Sequence, residues 1–233
     1  IYQRSVNLTF PPLAVRGKIT KDRLYYAVHE FGHAFTGVRL GRRFEYATVV
    51  PPKAGIGGYV KFKRDSMTAK SLLSEIYALL GSRAMERIFL SEDPLSNSSV
   101  QDINYCAASD IQKSTRALWE LIYEFGFDPD GGTIERTGFE GSNRYANFSD
   151  LSAKEVKRFG LILRDMENFL VADLLRAHPK DWYVEKIRAL AKAGGMTEKA
   201  FYELIEYPYP GENSFEIGDV SRLYEEFDDS IES

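Results

Sequence analysis

The segment His29-Glu30-Phe31-Gly32-His33 contains the clearest catalytic pattern in the sequence. On a helix, residues i and i+4 share one face with their Cβ atoms about 5–6 Å apart, so His29 and His33 can bind one zinc ion. Glu30 follows the first histidine, where its carboxylate can serve as a general base beside an open coordination position. Two of the chain's three histidines lie in this otherwise apolar segment, where unpaired polar groups would be costly. We therefore predict a zinc site here.

A catalytic zinc site needs a third protein ligand, and the residues alone leave its identity open. The metzincin pattern would place Gly at position 36 and His at position 39, where this chain has Thr36 and Arg39. A thermolysin-like site would take a Glu from a following helix. Residues 128–131 echo the Asp-Gly motif of site-2 membrane proteases, but no apolar run approaches the roughly 18–20 residues that span a bilayer. The glutamates that are candidates on spacing alone are Glu75, Glu86 and Glu92.

Hydrophobic periodicity predicts the elements that position these residues. Two short strands are expected within residues 44–64, around the Gly-rich turn at 55–58. The pattern predicts a mainly α, α+β fold with five or six helices. The predicted helices cover residues 21–40, 68–90, 99–125, 152–176, 181–193 and 197–206.

Composition narrows the function class and suggests three regions. The chain is 44% hydrophobic and 27% charged with a net charge of −4, which is typical of a globular protein and offers no basic surplus for nucleic acid. We expect an N-terminal lead-in over 1–20, one domain over 21–206 and an acidic tail over 207–233 that contributes little to the core. The single cysteine, Cys106, excludes an internal disulfide and is typical of a reducing compartment.

The order of the motifs resembles the peptidase domain of the FtsH-like ATP-dependent zinc metalloproteases, peptidase family M41. Residues 23–34 resemble the zinc helix of that family, and residues 49–60 resemble its strand near the active site. Residues 80–86 resemble its Gly-Gly-Arg-x-Ala-Glu segment, and residues 98–103 resemble the segment with the third ligand. The resemblance covers roughly residues 20–206 and is looser over the last helices.

The resemblance implies a zinc endopeptidase with one Zn²⁺ per chain, held by His29, His33 and Asp102, with Glu30 as general base. It also implies that Glu86 lies near the site and holds a ligand histidine. Asp102 has a second interpretation, because Ser99 and Asp102 have the spacing of a helix capping pair. The substrate, an unfolded or extended polypeptide, would lie along the strand residues Gly57, Gly58, Tyr59 and Val60.

Partners and location also follow from the resemblance. The resemblance implies a hexameric ring or a separate ATPase partner. The second alternative arises because the sequence contains no G-x-x-x-x-G-K-[ST] phosphate loop and so no ATPase motor. The expected compartment is the cytoplasm or an organelle matrix or stroma, in a protein whose membrane anchor would lie outside this chain. Departures such as Ser82 for the second Gly of Gly-Gly-Arg indicate a divergent member. The alternative function is a non-catalytic FtsH-like assembly or chaperone-like module.

Overall fold

The computed structural model describes residues 19–50, 58–63, 68–91, 93–95, 105–127 and 153–209. These residues form six helices and a small antiparallel sheet, which confirms the mainly α, α+β fold. None of the helices among them is long and apolar enough to cross a membrane. The helices are α1 (Lys21–Arg39), α2 (Ala69–Leu90), α3 (Tyr105–Tyr123), α4 (Ala153–Ala177), α5 (Lys180–Ala193) and α6 (Glu198–Ile205). The strands are β1 (Phe44–Thr48), β2 (Tyr59–Phe62) and β3 (Gly195–Thr197).

Helix α1 begins at a side-chain cap and then runs into the core. Thr20 Oγ1 accepts a hydrogen bond from the backbone N–H of Arg23 at 3.1 Å, which satisfies one of the free donors at the helix start. From His29 to Val38 every residue of α1 is buried. The segment with the two histidines therefore belongs to a buried helix and is not a solvated surface face.

Helices α1 and α2 approach each other backbone to backbone. A Cβ atom on Gly32 would lie 2.4 Å from the carbonyl oxygen of Gly81, and a Cβ on Gly81 would lie 2.5 Å from the carbonyl oxygen of Gly32. No side chain larger than hydrogen fits at either position without moving a helix. This contact sets the distance between the histidines of α1 and the residues of α2 that face them.

The sheet has the strand order β2-β1-β3, and both pairs are antiparallel. Thr48 of β1 pairs with Tyr59 on one side and with Gly195 on the other, so β2 is an edge strand among the described residues. Strand β3 was not predicted from the sequence. Gly194 ends α5 with φ of 82°, and the chain enters β3 directly; three residues are too few to show a strand pattern.

The inward face of α3 agrees with its apolar pattern only in the second half of the helix. The spacing predicts that Ala107, Ile111, Leu118 and Ile122 point inward; Leu118 and Ile122 are buried, but Ile111 is only partly buried. Asp110 and Ser114 are 5% and 0% exposed, and they lie in line with the buried Leu118. The inward face of α3 is therefore polar in its first half, where it meets α1 and α2. The side chain of Ala107 lies outside the described residues.

A buried ion-pair cluster joins α2 to α4. Arg83 Nε lies 2.9 Å from Glu167 Oε2, and Arg87 Nη1 lies 3.0 Å from Glu167 Oε1. Arg87 also donates to the side chain of Asn168 and to the carbonyl of Pro94. Each charged side chain in this cluster therefore contacts partners of opposite charge or hydrogen-bonding role within the protein.

Candidate metal centre

His29 and His33 point to the same side of α1, as their spacing predicts. Their rings lie 4.7 Å apart between centroids and are nearly perpendicular. The two Nε2 atoms are separated by 3.1 Å. The two residues are 3% and 9% exposed, so the pair lies inside the protein with only slight access to solvent.

Asp110 of α3 completes a triangle with the two histidines. Its Oδ2 atom lies 3.1 Å from His33 Nε2 and 3.1 Å from His29 Nε2. Among the described residues, His29, His33 and Asp110 form the one group of three side chains whose ligand atoms could share a metal ion.

The outer ring nitrogens determine which atoms of the triangle carry protons. His33 Nδ1 lies 2.8 Å from the carbonyl oxygen of Ala78, which can only accept, so this nitrogen carries the proton. His29 Nδ1 lies 2.7 Å from Glu86 Oε1 and likewise donates to the carboxylate. In the neutral rings both Nε2 atoms then present lone pairs to each other and to Asp110 Oδ2. Three acceptors this close repel one another unless a proton or a metal ion lies between them.

The triangle fits a zinc ion. Two imidazole nitrogens and one carboxylate oxygen form a donor set found in catalytic zinc sites, with a position left for water. Ligand atoms at the usual zinc distances of about 2.0–2.1 Å in tetrahedral geometry lie about 3.3 Å from one another, close to the three separations of 3.1 Å here. The contacts of both Nδ1 atoms also orient the rings, as is usual for metal-binding histidines.

The same convergence perturbs both kinds of ligand in the metal-free protein. Burial lowers the pKa of His29, but the hydrogen bonds to Asp110 and Glu86 outweigh it and raise the pKa to about 10. Burial alone would raise the pKa of Asp110, whereas its hydrogen bonds with His29 and His33 bring that pKa far below its usual range. Without metal, a proton therefore occupies the place of the cation.

Glu30 lies beside this triangle, where the sequence predicts the general base. Its side chain is buried, and burial raises the pKa of its carboxyl group, while the imidazoles of His33 and His29 act in the opposite direction. A Cβ atom added to Gly58 would lie 2.7 Å from Glu30 Cγ and 2.4 Å from the carbonyl oxygen of Thr48. The chain thus reaches the edge strand β2 directly over the Glu30 side chain.

Glu86 lies where the resemblance implies, with its carboxylate against His29. It is 2% exposed and belongs to α2, which also supplies the Ala78 carbonyl to His33. Helix α2 therefore contacts both imidazole rings at their Nδ1 atoms, the atoms that do not belong to the triangle. The close crossing of Gly32 and Gly81 lies between these two contacts along α2.

Other predicted residues fall elsewhere. Glu75 pairs with Arg42 at 3.8 Å, and its side chain is 45% exposed, so it does not belong to the triangle. Tyr59 and Val60 lie in the edge strand β2. Several candidates lie outside the described residues and stay predictions: Asp102, Glu92, Gly57 and residues 128–131.

Asp110 is the site residue that the sequence reasoning missed. The signal was present in the periodicity of α3, because counting back in helical steps from the buried Leu121 and Leu118 gives Ser114 and Asp110. A carboxylate on the inward face of a helix needs a partner. The resemblance implies Asp102 as the third ligand instead, because residues 98–103 resemble the segment that carries this ligand in the FtsH-like family.

Comparison with curated proteins relates the chain to proteins named ATP-dependent zinc metalloprotease FtsH. The protein from Mesomycoplasma conjunctivae is 34% identical over 115 residues, which cover 46% of this chain and 14% of that protein. The protein from Chlamydia trachomatis is 26% identical over 226 residues, covering 80% of this chain and 24% of that protein. The Bacillus subtilis protein is 26% identical over 209 residues, covering 78% of this chain and 31% of that protein.

These matches confirm the FtsH-like resemblance seen in the sequence. The chain spans less than a third of the length of these curated relatives. No protein-family model matches the chain.

Proposed function

We propose that this chain is a zinc metallopeptidase that hydrolyses peptide bonds in unfolded or extended polypeptide segments. The observation that carries the proposal is the triangle of three acceptor atoms, each 3.1 Å from the other two, with the buried carboxylate of Glu30 beside it. The relationship to proteins named as zinc metalloproteases supports the same reaction class.

The proposed ligands of one zinc ion per chain are His29, His33 and Asp110. Each offers one atom to the triangle, and Glu86 and the Ala78 carbonyl hold the two imidazoles in the orientation that this needs. Asp102 stays a predicted ligand by resemblance, and a matched pair of variants described below separates it from Asp110.

The chemistry is divided between the metal and Glu30. Zinc, when bound, supplies a Lewis acid that polarises the scissile carbonyl and makes water more acidic. Glu30 accepts a proton from the attacking water and returns it to the leaving amine, so the nitrogen departs as a neutral amine. Burial raises the pKa of the Glu30 carboxyl group in the metal-free protein, so its buried surroundings favour proton uptake.

The edge strand β2 is the proposed place for the substrate. An extended segment could add itself to this edge by backbone hydrogen bonds, which select for extended polypeptide and not for a particular side chain. Two observations support the position: β2 pairs only with β1 among the described strands, and Gly58, just before β2, lies against Glu30. A substrate on this edge would pass close to the base.

The test of this function is the variant Glu30→Gln. We expect it to keep zinc and its melting temperature and to lose about 10²–10⁴-fold in the rate of casein cleavage, because the amide cannot accept the proton. Glu203→Gln is the matched control, since Glu203 is an exposed residue of α6, 68% accessible, and should cleave like the parent. Cleavage by Glu30→Gln at the parent rate would contradict the assignment of the base.

The alternative is a non-catalytic FtsH-like assembly or chaperone-like module. It predicts that zinc-loaded parent protein leaves casein intact, whereas a peptidase cleaves casein and stops when the metal is chelated. A hexameric ring, a separate ATPase partner and a location in a reducing compartment belong to the same proposal. The ring and the ATPase partner rest on the resemblance and would be tested by the mass of the native assembly. The compartment rests on the single cysteine and would be tested by localising the tagged protein in cells.

A further inference from the structure

The two carboxylate oxygens of Asp110 have different surroundings. Oδ2 faces the two histidine nitrogens at 3.1 Å and lies 3.5 Å from the hydroxyl of Ser82. Oδ1 faces the ammonium group of Lys113 at 3.4 Å. One oxygen is therefore directed to the metal position, and the other is directed to a cation of the chain.

Lys113 is one helical turn beyond Asp110 on α3 and lies at the solvent side of the site. Its side chain is 60% exposed, whereas that of Asp110 is 7% exposed. Lys113 therefore places a solvent-exposed positive charge beside the one proposed ligand that could offer a second oxygen.

We propose that Lys113 is a positioning residue that holds Oδ1 of Asp110 away from the metal, so that Asp110 coordinates through Oδ2 alone. The inference rests on the proposed function. A carboxylate can bind a metal through one or both oxygens, and an open position must remain for water and substrate in a catalytic zinc site. An aspartate that binds through both oxygens would fill that position, which would keep the metal bound and slow the reaction.

The test uses cobalt(II) in place of zinc, because its visible absorption is much stronger in four-coordinate than in five-coordinate sites. We expect the parent and Lys113→Arg to give the strong four-coordinate spectrum. Lys113→Met should retain cobalt with equal or higher affinity, but with a clearly weaker absorption. In the zinc proteins, Lys113→Met should lower kcat for a casein-derived peptide about tenfold with KM unchanged, since the loss lies after substrate binding.

Arg116→Met is the matched control, because Arg116 lies on the same helix, is 72% exposed and pairs with Glu120, not with the site. It removes the same charge and should keep the parent spectrum and kcat. An unchanged cobalt spectrum in Lys113→Met, with or without a fall in kcat, would overturn the inference. A parent protein that takes up no cobalt or zinc would overturn the proposed function, and this inference with it.

Discussion

Glu86 and Arg87 are neighbours on α2, yet they belong to two buried polar clusters with opposite needs. Glu86 turns toward α1 and meets His29, behind the triangle in which the histidines and Asp110 present three acceptors. Arg87 turns toward α4 and meets Glu167, which Arg83 also contacts. One helix thus supports the proposed reaction on one face and the fold on the other.

The difference between the clusters lies in how donors and acceptors balance. The cluster around Glu167 combines guanidinium donors with carboxylate, amide and carbonyl acceptors, so it is complete without any ligand. The cluster around His29 is short of one cation. Burial alone therefore does not mark a functional site among polar residues; an unmatched set of acceptors does.

The largest expected effect is a loss of zinc affinity on changing Asp110, the third acceptor of the triangle. Asp110→Asn should weaken zinc binding by about 100-fold or more, because the amide offers no charge to the cation. Asp102→Asn is the matched variant. If Asp102 only caps α3, it should keep the parent zinc affinity, since Asn is as good a cap. Competition with a chromophoric chelator would measure both affinities, and the reverse order would assign the ligand to Asp102.

A smaller effect should separate the two faces of α2. Glu86→Gln should weaken zinc binding about 10–100-fold, as expected when the partner of a ligand histidine loses its charge, with a small change in stability. Glu167→Gln should leave the zinc affinity unchanged and lower the free energy of unfolding by about 3 kcal/mol, because the buried Arg87 and the half-buried Arg83 lose their counter-charge. Urea unfolding of the chelated proteins measures the second quantity. If both variants affected both quantities equally, the two clusters would act as one.

The smallest expected effect is the pH dependence of the zinc affinity. The pKa of His29 in the metal-free protein is raised to about 10, so its proton is present below that pH and must leave when a metal binds. Asp110 has a lowered pKa and brings no proton. Zinc affinity should therefore rise about tenfold per pH unit between pH 6 and 7. Titrations at the two pH values, or calorimetry in two buffers, would show a pH-independent affinity if no proton is displaced.

The raised pKa of His29 also makes the stability of the metal-free protein depend on pH. Because the folded pKa of His29 is higher than its unfolded value of 6.5, the stability it contributes is complete below pH 6.5 and is lost as the pH rises toward 10. The Glu167 cluster shows no such requirement for an external cation, so chelation should act on the first cluster alone.

Sequence reasoning could predict what depends on short-range pattern. The pairing of the two histidines on α1 followed from five consecutive residues. The helices followed from apolar spacing and their end signals, and the predicted bounds of α1, α2, α4, α5 and α6 agree with the structure to within a few residues. Strand β3 has three residues and depends on pairing with β1, a long-range contact that leaves no local pattern.

The third proposed ligand could not be predicted from local pattern, because it depends on contacts that are distant in the sequence. His29 and His33 share one helix, so their meeting is a matter of spacing, but Asp110 reaches them across 77 residues of chain. Choosing between Asp102 and Asp110 needs the rotation of α3 about its own axis, which packing determines. The buried polar residues Asp110 and Ser114 on the inward face of α3 favour Asp110. The resemblance implies Asp102, which stays a prediction because it lies outside the described residues.

The crossing of Gly32 and Gly81 also bears on how relatives of this chain are recognised. A search for H-E-x-x-H alone accepts any residue at the fourth position, but here a methyl group at Gly32 would strike the backbone of α2. The site therefore defines a stricter signature: His-Glu-x-Gly-His, followed on the next helix by a glycine and, five residues later, a glutamate that faces the first histidine. A chain with the short motif but bulky residues at these two places would need a different helix spacing. It should not be grouped with this protein on the motif alone.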